Sequence, residues 1–124
     1  YKRQLVTSMV MRTPIILDVI RDRNALYREL PQELIENTYT IKLINQRNDE
    51  RRFRLEITGV DGIYLDGVDD VLVVEGGGVL NVPLRARAHR DNARGIAKID
   101  FKATALDRHE EFVVEDSRFL GPSR

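Results

Sequence analysis

The stretch Ile35–Thr58, which reads IENTYTIKLINQRNDERRFRLEIT, alternates apolar and polar side chains on both sides of a charged turn. Before the turn, apolar positions alternate with polar ones: Ile35, Tyr39, Ile41 and Leu43 against Glu36, Thr38, Thr40 and Lys42. After the turn the alternation continues, with Phe53, Leu55 and Ile57 against Arg52, Arg54, Glu56 and Thr58. Because successive side chains of a strand point to opposite faces, the stretch predicts two half-buried strands. The polar turn between them, residues 46–50, indicates that they pair as a hairpin.

Five more segments show a strand pattern, and they are residues 14–22, 71–75, 79–88, 97–105 and 110–116. The side chains predicted to face the interior are Ile15, Leu17, Val19, Leu80, Val82, Leu84, Ala86, Ala97, Ile99, Phe101, Ala103, Ala105, Phe112 and Val114. Pro83 lacks an amide hydrogen, which predicts that its strand lies at a sheet edge or contains a bulge. The predicted fold class is therefore all-β, an immunoglobulin-like antiparallel β-sandwich of about seven strands.

Length and composition limit the function classes. The 124 residues suit one domain, which we predict over residues 12–122, after a juxtamembrane or artificial segment 1–11 and before a tail 123–124. Twenty basic and twenty acidic side chains cancel, which removes a global attraction to nucleic acid or anionic lipid. The absence of cysteine excludes thiolate metal sites, iron–sulfur ligation and disulfides within the chain.

Asp18–Leu30 interleaves arginines with acidic residues. Arg21, Arg23 and Arg28 together would suit an anion, because guanidinium groups match carboxylates and phosphates. Asp18, Asp22 and Glu29 neutralise much of that field. This pattern favours an ion-paired loop at the strand exit, in which Asn24 tolerates an unusual backbone angle.

The glycine run of Glu75–Val79 has the density of a phosphate-binding loop. Such loops need a following helix whose first amides face the anion. A strand with Pro83 follows here instead, which favours a simple turn.

Metal binding has two weak sequence signals. His89 and His109 lie in polar, loop-like stretches without a metal-ligand spacing, although Asp91 or Asp107 would complete a site if their loops met. Met9 and Met11 form a Met-x-Met pair that suits Cu(I), but their valine neighbours favour apolar packing. No catalytic, cofactor-binding or metal residue is therefore predicted.

Several motifs in order resemble the C-terminal domain of the FixG/CcoG family of cytochrome c oxidase accessory proteins. They are RTPIILDVIRDRNALYREL, ENTYTIKLIN, FRLEITG and SRFLGP, and the similarity extends from about Arg12 to Pro122. The most specific parts are Asp22-Arg23-Asn24 with Tyr27, the strand NTYTIKLIN and the segment RFLGP from Arg118 to Pro122. A candidate interaction or loop-shaping motif consists of Asp22, Arg23, Asn24, Tyr27, Arg118 and Phe119.

The resemblance implies a bacterial inner-membrane parent with iron–sulfur clusters outside this chain. It implies that this domain lies on the periplasmic side, after the last membrane helix, and is not itself an enzyme. The charge-rich loop would then lie near where the chain leaves the membrane. The parent would act in assembly of the cbb-type oxidase and in copper handling, including reduction of Cu(II). The expected partner is a protein of oxidase assembly or another region of the parent, docked through a sheet edge or loop.

Two alternatives from other classes remain open. The first is direct copper binding by Met9, Met11, His89 or His109. The second is a generic ligand-binding sandwich, such as an adhesion or carbohydrate module.

Overall fold

A computed structural model describes residues 15–22, 27–107 and 111–122. These residues form nine strands and two short 3₁₀ turns, with no α-helix among them. The strands are β1 (Ile15–Arg21), β2 (Arg28–Leu30), β3 (Leu34–Asn45), β4 (Arg51–Thr58), β5 (Tyr64–Asp66), β6 (Leu72–Val74), β7 (Val79–His89), β8 (Ile96–Ala105) and β9 (Phe112–Leu120). The 3₁₀ turns are Pro31–Glu33 and Arg90–Asn92. Among the residues described, no helix has the length and apolar character needed to cross a membrane.

The strands form two antiparallel sheets packed as a sandwich. One sheet has the order β1-β3-β7-β5, with β2 also paired to β3, and the other has the order β6-β4-β8-β9. All seven predicted strands are present, and the immunoglobulin-like sandwich is confirmed. The two additional strands, β2 and β5, have three residues each, too few for an alternation to be visible in the sequence.

The interior is built from the predicted alternating side chains. Tyr39, Ile41, Leu43, Phe53 and Phe101 are all fully buried. The prediction for β9 was wrong, because Val113 and Phe119 are buried there, whereas Phe112 and Val114 are only partly covered. Val113 pairs with the buried Ala103, which sets the parity of β9. The run Phe112–Val114 is apolar at every position, so alternation alone could not select the inward residues.

The predicted hairpin between β3 and β4 was also wrong. β3 pairs with β1, β2 and β7, whereas β4 pairs with β6 and β8, so the turn at residues 46–50 crosses from one sheet to the other. Asn45, fully buried, supports this crossing, because its Nδ2 donates to the carbonyl oxygens of Asp49 at 2.9 Å and Val74 at 3.1 Å. Alternation specifies an inward face, but either sheet of a sandwich satisfies it.

Arg51, the first residue of β4, is buried below this crossing turn. Its guanidinium contacts the carboxylates of Asp107 at 3.0 Å and Glu111 at 2.8 Å. Burial opposes the charge, but the hydrogen bonds to both carboxylates outweigh it and raise the pKa of Arg51. The start of β4 is therefore linked to Asp107 and Glu111, which lie between β8 and β9 in the chain.

The edge strand of the five-stranded sheet is interrupted after β1. Arg21 pairs with Tyr39, and Arg28 pairs with Glu36, both on the same side of β3. Six residues, 22–27, therefore stand opposite the two residues 37–38 of β3, which is an insertion of four.

The edge prediction for Pro83 holds only locally, because β7 lies between β3 and β5. β7 pairs with β3 along its whole length without a bulge, but β5 covers only Arg85–Arg87 on the other side. The first half of β7 thus has an open side on which a missing amide hydrogen costs no ladder bond.

Candidate interaction surface

The loop motif of the sequence lies beside the edge of the five-stranded sheet. Asp22 donates its backbone N–H to the carbonyl of Thr38 at 3.0 Å, and Tyr27 packs half-buried against the core. Arg23 and Asn24 lie outside the described residues. β1 carries the chain about 20 Å from Ile15 to Arg21. Asp22 therefore lies at the end of β1 farther from Ile15, and a position of this loop near the membrane stays a prediction.

The other half of the motif is split between core and surface. Arg118 is exposed on β9, whereas Phe119 has no exposed surface and belongs to the core. The Phe119 side chain therefore has no area with which to contact a partner.

Asn37 and Tyr39 of β3 join the two sheets through the backbone of β9. Asn37 donates from Nδ2 to the carbonyl of Leu120 at 2.8 Å and accepts from the Leu120 N–H at 2.9 Å. The Tyr39 hydroxyl donates to the carbonyl of Arg118 at 2.6 Å. We call these four residues the inter-sheet seam. It connects two motifs of the family resemblance, which are 79 to 83 residues apart in the chain.

Both seam side chains on β3 are buried, which makes their hydrogen bonds important. Asn37 is 2% exposed and Tyr39 is fully buried. Burial raises the pKa of Tyr39, and the nearby charge of Arg21 only partly offsets this. The sequence analysis did not identify Asn37 as a structural residue. Its position could have indicated the role, because it is a polar residue that shares the inward face with Ile35 and Tyr39.

Gly121 continues the seam beyond β9. Its N–H donates to the carbonyl of Gly95 at 2.8 Å, and a Cβ at this position would collide with the carbonyl oxygen of Ala93. The glycine of the SRFLGP motif is therefore required by this close approach of two backbones.

On the opposite face of β3, Glu36 is covered by three arginine side chains. Its carboxylate contacts Arg87 at 2.9 Å, Arg28 at 3.5 Å and Arg85 at 3.7 Å, and Asp66 contacts Arg85 at 2.8 Å. We call these five residues the outer ionic cluster. The hydrogen bond to Glu36 raises the pKa of Arg87, and that from Arg85 lowers the pKa of Asp66. Although Glu36 has the outward parity that the sequence predicted, only 2% of it is exposed.

Further along the same outer face, apolar side chains are exposed to solvent. Ile16, Ile44 and Val79 are paired in register across β1, β3 and β7, and Ile16 and Val79 are 42% and 51% exposed. A second row crosses the same strands through Ile20, Thr40 and Pro83, in which Ile20 is 54% exposed. We call these the two apolar rows. With strands about 4.8 Å apart, each row spans roughly 10 Å.

The polar row between the two apolar rows carries one charge of each sign. Asp18 and Lys42 are paired in register on β1 and β3, and Asn81 follows on β7. The surface therefore has an apolar character with no net charge at its centre.

The histidine and glycine motifs have different outcomes. His89 contacts Glu33 and Asp91, so one of the two carboxylates named in the sequence does meet it. His109, Met9 and Met11 lie outside the described residues.

The glycine run forms the turn between β6 and β7, in which Gly77 donates to the carbonyl of Arg47 at 2.8 Å. β7 follows this turn directly, as predicted for a turn in place of a phosphate loop.

A cavity of about 340 Å³ lies between β4 and the connection from β5 to β6. Its lining is one arginine, three aliphatic residues and two aspartates: Arg54, Leu55, Leu65, Val68, Asp69 and Asp70. Adjacent Asp69 and Asp70 both border the cavity, next to Arg54, so their charge is partly offset.

Comparisons with known proteins agree with these motifs. The family described as "IG-like fold at C-terminal of FixG, putative oxidoreductase" matches residues 5–122. Protein RdxA of Cereibacter sphaeroides is 30% identical over 95 residues, which cover 77% of this chain and 18% of RdxA. Protein RdxB of the same organism is 33% identical over 54 residues, which cover 44% of this chain and 11% of RdxB. This chain therefore spans less than a fifth of the length of these relatives.

A solved structure shows the same fold. The crystal structure of a FixG-related protein from Vibrio parahaemolyticus superposes with a TM-score of 0.73 at 32% sequence identity. The match covers 87% of this chain and 96% of that chain, so the crystallised chain consists almost entirely of this domain. With the family match over nearly all residues and the sandwich formed as the motifs require, the chain belongs to the family of immunoglobulin-like domains at the C-terminus of FixG.

Proposed function

We propose that this chain is a non-catalytic, periplasmic interaction domain of a membrane-bound, iron–sulfur-containing cytochrome c oxidase accessory protein. In this proposal it docks a protein of cbb-type oxidase assembly, and its parent acts in assembly and copper handling. Family membership and the much greater length of RdxA and RdxB support a larger parent. Because this chain has no cysteine, iron–sulfur clusters and the reduction of Cu(II) belong to the parent outside it.

The exposed apolar rows are the observation that carries this proposal. Ile16, Ile20 and Val79 each expose two-fifths or more of their surface, on strands that are otherwise regular. Ile16, Ile44 and Val79 form one contiguous apolar row. Exposed apolar side chains grouped in this way mark contact sites, since water-exposed isoleucine and valine gain free energy when covered.

The chemistry of the surface favours a protein partner. Asp18 and Lys42 lie next to each other between the rows, so the surface carries no excess charge to attract phosphate groups of lipid or nucleic acid. Apolar rows on both sides of a charge-balanced polar row offer a protein partner both apolar area and polar contacts, which protein–protein interfaces combine. The partner is expected to present an apolar patch with its own paired charges.

The test is the double substitution Ile16→Thr and Val79→Thr in the full-length parent. Threonine keeps the β-branched shape but replaces a methyl or ethyl group by a hydroxyl, which weakens apolar contact without disturbing the strand. We expect the amount of assembled cbb-type oxidase in membranes to fall to the level found when the whole domain is deleted. Cofactor loading of the parent itself should stay normal.

A matched control is Val73→Thr, which changes a similarly exposed valine on the other sheet. This variant should assemble the oxidase normally. Normal assembly in the Ile16/Val79 variant would reject the apolar rows as the docking surface, and normal assembly after deletion of the domain would reject the proposed function itself.

A further inference from the structure

His89, the last residue of β7, lies between two carboxylates. Its Nε2 is 3.4 Å from Glu33 Oε1, and its Nδ1 is 3.5 Å from Asp91 Oδ2. The three side chains come from separate elements: the turn Pro31–Glu33, the end of β7 and the turn Arg90–Asn92. One ligand atom from each residue can be chosen so that all three lie within 4.8 Å of one another.

The backbone holds these three residues together. His89 pairs in register with Leu34, which brings the preceding Glu33 beside the imidazole. Asp91 donates its backbone N–H to His89 Nδ1 at 3.2 Å, which keeps the second carboxylate next to the ring. Gln32 and Glu33 both adopt left-handed backbone angles, with φ of 66° and 62°, and this turn directs the chain into β3 just before Leu34.

The distances suit a metal ion with nitrogen and oxygen ligands. Bonds of about 2.0–2.2 Å allow two ligand atoms to be at most roughly 4.4 Å apart across the ion. The nitrogen that binds the ion has one short contact within this limit, 3.4 Å at Nε2 or 3.5 Å at Nδ1. Because one atom of each residue can be chosen with all separations within 4.8 Å, closing the site needs a movement of at most a few tenths of an ångström. Glu33 and Asp91 have side chains that are 64% and 65% exposed, so such a movement meets little resistance from packing.

We propose that Glu33, His89 and Asp91 form a binding site for a divalent transition-metal ion such as Zn²⁺ or Cu²⁺. One imidazole nitrogen and one oxygen of each carboxylate bind the ion, and water completes its coordination. The imidazole selects transition metals over Mg²⁺ and Ca²⁺, which take oxygen ligands. The two carboxylates match the charge of a divalent ion, although Arg94 offsets part of the charge of Asp91 at 3.7 Å.

The site does not depend on the docking function, and of the residues in the copper hypothesis of the sequence, Met9, Met11, His89 and His109, it shares only His89. It uses hard oxygen ligands beside a single imidazole, whereas Met9 and Met11 would supply thioethers. Zn²⁺ is therefore the cleaner probe, because thioethers bind it poorly and cannot account for its binding.

The experiment is calorimetric titration of the 124-residue chain with Zn²⁺ alone, repeated with Cu²⁺. The FixG-related crystal structure shows that a domain of this family forms without the rest of its parent. We expect one Zn²⁺ per chain. His89→Gln should weaken binding by at least about tenfold, and Glu33→Gln and Asp91→Asn by about tenfold each, as for ligands and their supporting groups at known sites.

The matched control is His109→Gln, which changes the other imidazole of the chain and should leave Zn²⁺ affinity unaltered. As a measurement that needs no variant, the ring resonances of His89 should shift on addition of Zn²⁺ while those of His109 stay in place. Equal affinity in the His89→Gln variant, loss of affinity in the His109→Gln variant, or no binding at millimolar Zn²⁺ would each overturn the proposal.

Discussion

The two faces of β3 make different polar contacts: neutral hydrogen bonds on the inward face and ion pairs on the outward face. The residues involved lie within four positions of the chain, from Glu36 to Tyr39. Facing inward, Asn37 and Tyr39 make neutral hydrogen bonds to the backbone of β9 in the inter-sheet seam. Facing outward, Glu36 is surrounded by the arginines of the outer ionic cluster. The seam joins the two sheets, whereas every contact of the cluster stays within the five-stranded sheet.

This contrast shows what the family motifs do. The NTYT and RFLGP segments meet at the seam and at Gly121, so their specific residues serve the fold. Ile16, Thr40 and Ile44 of the two apolar rows also lie in the family motifs but on the outward face of the sheet. One motif can therefore supply inward residues to the core and outward residues to the surface.

Removal of the Asn37 amide should have the largest effect on stability. In Asn37→Ala both the N–H and the carbonyl of Leu120 lose their partners, and a buried cavity is left. We expect the free energy of unfolding to fall by about 3 kcal/mol, since an unsatisfied buried group costs roughly 1–3 kcal/mol. Urea unfolding measures this loss. The control Asn81→Ala, at an exposed position of β7, should change stability by less than about 0.5 kcal/mol, and equal losses in both variants would contradict the seam.

A smaller loss is expected for Tyr39→Phe, which removes a single hydrogen bond to Arg118 and keeps the ring in the core. The free energy of unfolding should fall by about 1–2 kcal/mol. The edge-on contact of Tyr39 with Phe101, with ring centroids 5.2 Å apart, should persist.

The same variant should change the response to alkali. Burial raises the pKa of Tyr39 above the ordinary 10.0, so this contribution to stability is complete below pH 10 and is lost as the pH rises beyond it. In Tyr39→Phe this component of the alkaline loss should vanish, as followed by unfolding at pH values from 8 to 11. Tyr64→Phe, on an exposed tyrosine, should retain the parent pH dependence; an unchanged alkaline slope in Tyr39→Phe would contradict the assignment.

The smallest effect is expected outside the seam, for Glu36→Gln in the outer ionic cluster. The arginines that contact Glu36 are 26% to 68% exposed, so water can hydrate them when the carboxylate is lost. We expect a loss of about 1 kcal/mol at low salt, and a smaller one near 1 M salt, where screening acts within about 3 Å. Glu56→Gln on β4 is the exposed control. A salt-independent loss larger than that of Asn37→Ala would reverse the comparison between the two faces.

The period-two pattern predicted seven strands and most of the core, because the direction of a side chain in a strand depends only on its neighbours. It failed at β9, where three apolar residues in succession left the parity open, and at the supposed hairpin, where β4 joins the opposite sheet. The interaction surface was expected at an edge or loop. The two apolar rows, which we propose as that surface, lie on a sheet face.

The sequence pattern also could not identify site residues that lie far apart in the chain, because alternation depends only on neighbouring residues. Nothing near His89 in the chain indicates Glu33, which is 56 positions earlier, and nothing near Asn37 indicates Leu120, which is 83 positions later. Only the register of β3 with β7, and the packing of β3 against β9, bring these pairs within contact distance.

The sequence by itself determined the class of fold and the inward faces of most strands, because alternation and turn residues act over a few neighbours. The tertiary structure alone decided which sheet each strand joins, where the seam closes, and which apolar side chains stay in water. These outcomes depend on contacts between segments far apart in the chain, whose free energies no local pattern contains.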